Sequence, residues 1–331
     1  MKKLIYTIVA ALGLTTFAAC EKQNTPEALD IQVPPTKSKA YYEALRAYKK
    51  SDHQLAFGWF GNWSAASSVM SSRLSTAPDS MDIISIWGPY NLITPEMAKD
   101  MRFVQEVKGT KVIFTTFAHV VPEAYLQNGK VHRAGLEQYA SDLCDSVYKY
   151  NYDGLDLDYE PGYVGGEGQL VSGPGHMENM EIFVRKLSER LGPNSGTGKL
   201  LCIDGVPFHL NEGLAQLFDY GIVQAYTSTG DKDLQSRFNK ADANGWKPSQ
   251  YIFTENFESL WMTGGYPNFR DSEGNTMPSL IGMARFQPKQ GRKAGVGTYH
   301  MEYEYLALPD YKYLREAIQI MNPAGGKNEK K

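Results

Sequence analysis

Short apolar runs recur along the chain, and segments with helical periodicity lie between many of them. Eight of these runs are predicted to be strands. Several of the eight are rich in β-branched and aromatic residues, and they lack interior proline, as buried strands do. The predicted strands are 55–60, 82–87, 111–117, 153–160, 200–206, 221–226, 250–255 and 295–301.

Helices are predicted between several of these strands. Thr94-Pro95 opens one of them, because threonine is a favourable N-cap and proline fits the first helical turn. Residues 134–149, 177–191 and 310–321 carry apolar side chains at three- and four-residue spacing, which buries one face of a helix. Alternating strands and helices indicate a parallel sheet covered by helices. Eight such units predict a (β/α)8 TIM barrel in a single α/β domain, and an open sheet of six or seven strands is the alternative.

The first twenty residues have the pattern of an export signal. A basic start is followed by an apolar run from Leu4 to Phe17, and Ala18-Ala19 precede Cys20. The run is too short to span a membrane. Small residues before a cysteine resemble the bacterial lipoprotein signal, which implies cleavage before Cys20 and a lipid on its sulfur. The alternative is a plain secretory signal that is cut nearby.

The lipoprotein interpretation sets the expected location and the domain boundaries. The protein would be secreted across the inner membrane and lipid-anchored, at the cell surface (outer membrane) or in the periplasm. Residues 1–19 would be the signal peptide, 20–49 a polar tether and first helix, 50–322 the barrel and 323–331 a polar tail.

The charge balance and the number of cysteines argue against some classes of protein. The 331 residues include 34 Lys and Arg against 37 Asp and Glu, a net charge of −3. This balance argues against a nucleic-acid partner, which usually leaves a basic footprint. Three cysteines cannot form a disulfide framework, and Cys144 and Cys202, in apolar stretches, are expected to be buried free thiols. A monomer is the default expectation.

The candidate chemistry concentrates in the fourth predicted strand, Asp153-Gly154-Leu155-Asp156-Leu157-Asp158-Tyr159-Glu160. Because side chains alternate along a strand, Asp156, Asp158 and Glu160 share one face. In a barrel they would line the interior and rise toward the carboxyl end, where barrel active sites lie. Neighbouring carboxyl groups raise one another's pKa, which suits a general acid. The residues alone leave open a solvated acidic face or a Mg²⁺ or Ca²⁺ site.

This segment resembles the DGxDxDxE signature of glycoside hydrolase family 18, which includes chitinases and endo-β-N-acetylglucosaminidases. The resemblance implies that Glu160 protonates the leaving glycosidic oxygen while the substrate's own 2-acetamido oxygen attacks C1. It implies that Asp158 orients the acetamide and that Asp156 shares a proton with Asp158. Asp153 is interpreted as structural and Gly154 as room for close packing. No metal and no cofactor is implied.

A second match lies on the sixth predicted strand. Gln224-Ala225-Tyr226 resembles the endo-β-N-acetylglucosaminidase branch, in which the tyrosine bonds the acetamide carbonyl and the glutamine lies beside the substrate. From the residues alone, a buried tyrosine with a polar neighbour is the favoured interpretation, and the acidic motif beside it shifts the balance to the functional one.

Other segments depart from the chitinase pattern. The third strand reads Phe114-Thr115-Thr116-Phe117-Ala118-His119 where Ser-x-Gly-Gly is common, and the eighth strand lacks a terminal tryptophan. Tyr299 is the candidate for stacking on a sugar ring. Tryptophans at or just beyond strand ends either contact sugar or pack: Trp59, Trp63, Trp87 and Trp261. The glycine-rich loop 161–176 lacks the ending of a phosphate loop.

The leading hypothesis is a retaining, substrate-assisted endo-β-N-acetylglucosaminidase. It would hydrolyse the GlcNAc-β1,4-GlcNAc core of an N-linked glycan or glycoprotein. A lipid on Cys20 would attach the protein to the membrane. The alternatives are a chitinase-type hydrolase of GlcNAc oligomers and a non-catalytic glycan-binding lipoprotein. The loops would decide the glycan class, which the sequence leaves open.

Overall fold

A computed structural model describes residues 36–66, 69–163 and 167–323. The predicted signal peptide, Cys20, the tether up to residue 35 and residues 324–331 of the tail lie outside the described residues, so these remain predictions. Within the described ranges, every helix is too short or too polar to cross a bilayer.

Eight parallel strands close into a barrel. They are β1 (Leu55–Phe60), β2 (Ile83–Ile86), β3 (Lys111–Phe117), β4 (Gly154–Tyr159), β5 (Leu200–Gly205), β6 (Tyr220–Gln224), β7 (Tyr251–Asn256) and β10 (Gly295–Tyr299). The closed order is β1-β10-β7-β6-β5-β4-β3-β2, which confirms the predicted barrel and excludes the open sheet. A separate antiparallel pair, β8 (Phe269–Arg270) and β9 (Thr276–Met277), lies in the connection before β10.

Helices follow most of the strands. They are α1 (Lys39–Lys49), α2 (Pro95–Arg102), α3 (Arg133–Lys149), α4 (His176–Ser188), α5 (Asp231–Ala243), α6 (Phe257–Leu260), α7 (Ser279–Arg285) and α8 (Lys312–Met321). A π-helix, Phe103–Lys108, extends α2. The hydroxyl of Thr94 accepts a hydrogen bond from the Met97 amide, as expected of its N-cap. Helix α8 begins two residues later than predicted, because Tyr311 has a left-handed backbone and caps it.

The sheet separates two apolar layers. Leu155, Leu157 and Tyr159 of β4 are buried in the outer layer, which also contains Leu143 of α3 and Phe183 of α4. The lower interior of the barrel is filled by Phe57, Trp59, Ile83, Ile113, Cys202, Ile222 and Ile252. The predicted alternation along β4 is therefore confirmed. Both Cys144 and Cys202 are buried free thiols, as predicted.

Two features hold the amino end of β4 in place: the hydrogen bonds of the Asp153 side chain and the close backbone approach that Gly154 allows. Asp153 accepts hydrogen bonds from the Gln105 side chain (2.7 Å) and from the Val112 amide (2.9 Å). A Cβ atom on Gly154 would lie 2.3 Å from the carbonyl oxygen of Leu200, so β4 and β5 can approach only because this residue is glycine. These contacts fit the structural interpretation of Asp153 and Gly154.

Candidate active site

Strand β4 places three carboxyl groups on the inner face of the barrel at rising heights. Asp156 is fully buried and Asp158 is 3% exposed. Glu160 follows the last residue of the strand and is half-buried at the barrel mouth. The carboxyl end of the barrel thus has one acid that is open to a substrate, above two that are enclosed.

Asp156 is held by neighbours from two other strands. Its Oδ2 accepts hydrogen bonds from Nε1 of Trp59 (2.9 Å) and from the hydroxyl of Thr115 (3.0 Å). Thr115 also contacts the hydroxyl of Ser85 at 2.7 Å. Two donors on one oxygen favour the ionised form of Asp156.

Asp204 of β5 is a member of this cluster that sequence analysis missed. It lies opposite Asp158 in the strand register and is 1% exposed. Nε2 of Gln224, at the end of β6, donates a hydrogen bond to its Oδ1 at 2.9 Å. The alternation of side chains along a strand could have revealed it. Cys202 and Asp204 are two positions apart in a segment that is predicted as a strand, so both face the interior of the barrel.

Burial raises the pKa of each acid in the cluster. The pKa of Asp156 rises to about 6, and its hydrogen bonds oppose the rise. The pKa of Asp158 rises to about 8, because the charges of Glu160 and Asp156 add to the effect of burial. Burial and the charges of Asp156 and Asp158 place the pKa of Asp204 well above its ordinary value. Burial also raises the pKa of Glu160, while a hydrogen bond from Gln224 lowers it. Protons are therefore held in the cluster near neutral pH, as acid catalysis requires.

Tyr226 lies two residues beyond β6, near the carboxyl groups of Asp204 and Asp158. Burial and the nearby carboxyl groups of Asp204 and Asp158 raise the pKa of its phenol well above the ordinary value. Its ring stacks on that of Tyr299, with centroids 6.2 Å apart and planes inclined by 26°. The structure thus brings together the predicted residues Gln224, Tyr226 and Tyr299 with the three acids, and it keeps the Tyr226 hydroxyl as a neutral donor.

Aromatic rings continue from Tyr299 along the mouth. Tyr299 meets Trp87 edge-on at 5.3 Å, and Trp87 meets Phe117 edge-on at 5.5 Å. Phe117 is 56% exposed although it lies beside Asp158 in the strand register. We call these three residues, Tyr299, Trp87 and Phe117, the aromatic wall.

The remaining tryptophans pack within the protein. Trp59 is buried under the site and hydrogen-bonded to Asp156, so of the two alternatives left open for it the structure favours packing. Trp63 is buried and donates its Nε1 hydrogen to Asp100 at 3.0 Å, which makes it structural as well. Trp261 packs, partly buried, against the outer apolar layer.

The alternative of a cation site in the acidic strand has no support in this geometry. Within residues 36–66, 69–163 and 167–323, no group of three or more His, Cys, Asp or Glu side chains is arranged to hold a metal ion. The Asp156 and Asp204 carboxyl groups instead accept hydrogen bonds from protein donors.

Comparison with known proteins agrees with the fold and with this site. The model of the BT1044-like group of glycoside hydrolase family 18 matches residues 24–320. The chain therefore belongs to glycoside hydrolase family 18 and is a glycoside hydrolase, within its endo-β-N-acetylglucosaminidase branch. The family predicted from the acidic motif is confirmed.

Three individual proteins illustrate the similarity. The chain is 28% identical over 350 residues to endo-β-N-acetylglucosaminidase F2 of Elizabethkingia meningoseptica, covering 96% of this chain and 98% of that protein. It is 31% identical to a solved glutamate-to-glutamine variant of BT1044, with a TM-score of 0.78 over 88% of this chain and 97% of the other. An endo-β-N-acetylglucosaminidase of Cordyceps militaris, at 22% identity and a TM-score of 0.68 over 88% of this chain and 98% of that chain, shares the fold.

Proposed function

We propose that this protein is an endo-β-N-acetylglucosaminidase that hydrolyses the GlcNAc-β1,4-GlcNAc core of N-linked glycans with retention of configuration. The observation that carries the proposal is the graded exposure of the acids along one strand. Glu160 reaches the mouth, whereas Asp158 and Asp156 are enclosed beneath it.

This arrangement favours substrate assistance over a carboxylate nucleophile. A retaining enzyme of the two-carboxylate kind needs a second, ionised carboxylate that can reach C1. Asp158 is almost fully buried, and burial together with its charged neighbours raises its pKa to about 8. A protonated, enclosed carboxyl group is a poor nucleophile, so the acetamido oxygen of the substrate is the better candidate.

Each residue then has a defined task in the proposed mechanism. Glu160, with its raised pKa, protonates the glycosidic oxygen as the bond to C1 breaks. The Oδ1 atom of Asp158 is buried and accepts no hydrogen bond from the described residues, so it is available to the acetamide N–H. The Tyr226 hydroxyl donates to the acetamide carbonyl oxygen. The resulting oxazolinium is opened by water, from which Glu160 removes a proton.

The aromatic wall supplies a surface suited to sugar rings. Pyranose faces are apolar on one side, and exposed aromatic rings bury such surface without many lost rotamers. Phe117, which is 56% exposed, extends this surface beside Asp158. We expect the wall to contact the pyranose rings next to the bond that is cut.

The relatives support this substrate class. The similar protein F2 is named as an endo-β-N-acetylglucosaminidase. The C. militaris enzyme, whose likeness shows the fold, was solved in complex with fucosyl-N-acetylglucosamine-Asn. Chitinases share the fold at lower similarity, for example one from Bacteroides thetaiotaomicron at 14% identity and a TM-score of 0.58.

The Glu160→Gln variant tests the assignment of the general acid. The amide keeps the size of the side chain but cannot supply the proton, so turnover of an N-glycopeptide should fall by about 10²–10⁴-fold. Its thermal midpoint and its affinity for the glycopeptide should stay close to those of the wild type.

The matched control is Glu167→Gln, the same chemical change at an exposed glutamate in the loop that follows β4. It should cleave at the wild-type rate. If Glu160→Gln, correctly folded, cleaves as fast as this control, Glu160 is not the acid. If the wild type and Glu167→Gln cleave chitin oligomers but no glycopeptide, the chitinase function replaces the proposed one.

A further inference from the structure

Asp204 brings a third buried carboxyl group to the floor of the site, from a strand outside the acidic motif. Its side chain is within hydrogen-bonding reach of Asp156. Oδ1 of Asp156 and Oδ2 of Asp204 are buried, and neither accepts a hydrogen bond from a donor group among the described residues. Two interacting carboxyl groups that are buried away from water are best satisfied by a shared proton, because two bare carboxylates there would repel strongly.

The other hydrogen bonds indicate which residue keeps that proton. Asp156 already receives two hydrogen bonds on its Oδ2, from Trp59 and Thr115, and these stabilise a carboxylate. Asp204 receives one hydrogen bond, from the neutral amide of Gln224. The negative charge is therefore more stable on Asp156 and the proton more stable on Asp204.

We propose that Asp204 is a positioning residue of the proposed glycosidase reaction, which keeps a proton and donates it in a hydrogen bond to Asp156. Its Oδ1 atom accepts a hydrogen bond from the Gln224 side-chain amide, and the same Gln224 side chain lowers the pKa of Glu160. Asp204 and Gln224 thus lie between the deepest acid and the acid at the mouth, and they link β5 to β6. The inference rests on the proposed function for its catalytic consequence alone.

The groups that face Asp204 agree with a neutral carboxyl group. They are Asp156 and Asp158 from β4, Cys202 below it on β5, and Gln224 and Tyr226 from β6 and the residues after it. None of these groups is cationic. A second anion on Asp204 would have no partner charge, whereas a proton there lets Asp156 remain ionised and hold the pKa of Asp158 high.

Paired substitutions at position 204 test the role. In Asp204→Asn the amide N–H can donate to Asp156 and the amide oxygen can accept from Gln224, so both bonds of the protonated acid survive. We expect kcat, KM and the pH profile of kcat/KM to stay close to wild type. Asp204→Ala removes both bonds, and kcat should fall by about 10–100-fold with little change in KM and a displaced pH profile. Cys202→Ala, a buried change one step deeper on the same face, is the control for lost packing.

A readout without substrate separates this inference from the proposed function. The infrared spectrum of the resting wild type at neutral pH should contain the C=O stretch of protonated, buried carboxyl groups, and the difference spectrum between wild type and Asp204→Asn should show the loss of the component from Asp204 while that of Asp158 remains. This result decides the protonation of Asp204 even if no N-glycan is cleaved, since the measurement needs no turnover.

Three outcomes would overturn the proposal. The first is an Asp204→Asn variant as slow as a folded Asp204→Ala, which would mean that Asp204 acts as an anion. The second is wild-type kinetics in both variants, which would leave Asp204 without a part in the reaction. The third is a carboxyl band that Asp204→Asn leaves unchanged. If Asp204→Ala fails to fold, the infrared comparison of Asp and Asn alone decides.

Discussion

Glu160 and Asp158 are only two residues apart, yet their environments give them different chemistry. Glu160 lies past the end of β4 and is half-buried, so it can meet a leaving group. Asp158 is enclosed and its pKa is raised to about 8 by burial and by the charges of Glu160 and Asp156. Differences of this kind between adjacent acids are what assign acid and stabilising roles in one site.

At the same scale, the hydroxyl of Tyr226 can be tested apart from its ring. Tyr226→Phe keeps the stacking on Tyr299 and removes one donor to a group that gains charge. We expect kcat to fall by about 10–100-fold with KM nearly unchanged, in steady-state hydrolysis of a glycopeptide. Tyr299→Phe is the matched control and should change kcat little, because its proposed contact uses the ring face. Equal effects of the two substitutions would contradict the assignment.

The site could be predicted from sequence only where one strand carried it. Alternation along β4 was sufficient to place Asp156, Asp158 and Glu160 on one face. Parity along β5 was sufficient to place Asp204 in the interior, but its position beside Asp158 depends on the register between β4 and β5, which no pattern within a single strand records. Trp59 was placed at a strand end, yet it lies below the site and hydrogen-bonds Asp156.

At the scale of elements, the barrel was predictable because most strand residues are buried on both faces and the long helices, such as α3 and α4, have one apolar face. Eight strand positions followed from apolar runs bounded by polar turns. The left-handed caps and the β8–β9 pair were not predictable in this way. They depend on contacts such as the bond from the Arg270 amide to the carbonyl oxygen of Thr229, which bring distant segments together.

Asp153 belongs to the acidic motif, but its contacts hold β4 in place. Its substitution is therefore expected to lower stability rather than activity, unlike substitution of the other acids. Asp153→Ala leaves the buried Val112 amide without its 2.9 Å side-chain acceptor, and it removes the bond from Gln105. We expect a loss of about 1–3 kcal/mol in the free energy of unfolding, measured in urea, with kcat unchanged below the transition.

Asp153→Asn is the control for this prediction, because its amide oxygen can still accept from the Val112 amide. It should recover part of the lost stability. A large fall in kcat for stable, folded Asp153→Asn would instead place Asp153 among the residues that act on the substrate.

At the scale of the whole molecule, the buried acids make stability depend on pH. The pKa of Asp158 is raised from 3.8 to about 8 in the folded protein. The folded state therefore keeps a proton that the unfolded chain releases, and the stability that this proton contributes is lost as the pH rises from about 4 to about 8. Asp158→Asn cannot titrate and escapes this loss.

The variant should thus gain stability relative to wild type as the pH rises through that window. The gain is at most about 1.4 kcal/mol per pH unit for one proton. Urea unfolding of both proteins at several pH values measures it. Parallel curves, or a relative gain toward acid pH, would contradict the raised pKa of Asp158.

The central claim is that the protein cuts the bond between the two core GlcNAc residues, and the mass of the product tests it most directly. Purified protein would be incubated with glycoproteins bearing high-mannose, hybrid and complex N-glycans, and the intact products would be weighed by mass spectrometry. We predict a glycoprotein product that keeps one GlcNAc on asparagine, and we predict that Glu160→Gln does not form this product. The type of N-glycan on the glycoproteins that react identifies the glycan class that the enzyme accepts. Release of the whole glycan, with no GlcNAc left on asparagine, would contradict the claim. Cleavage of chitin oligomers without cleavage of any of these glycoproteins would contradict it as well.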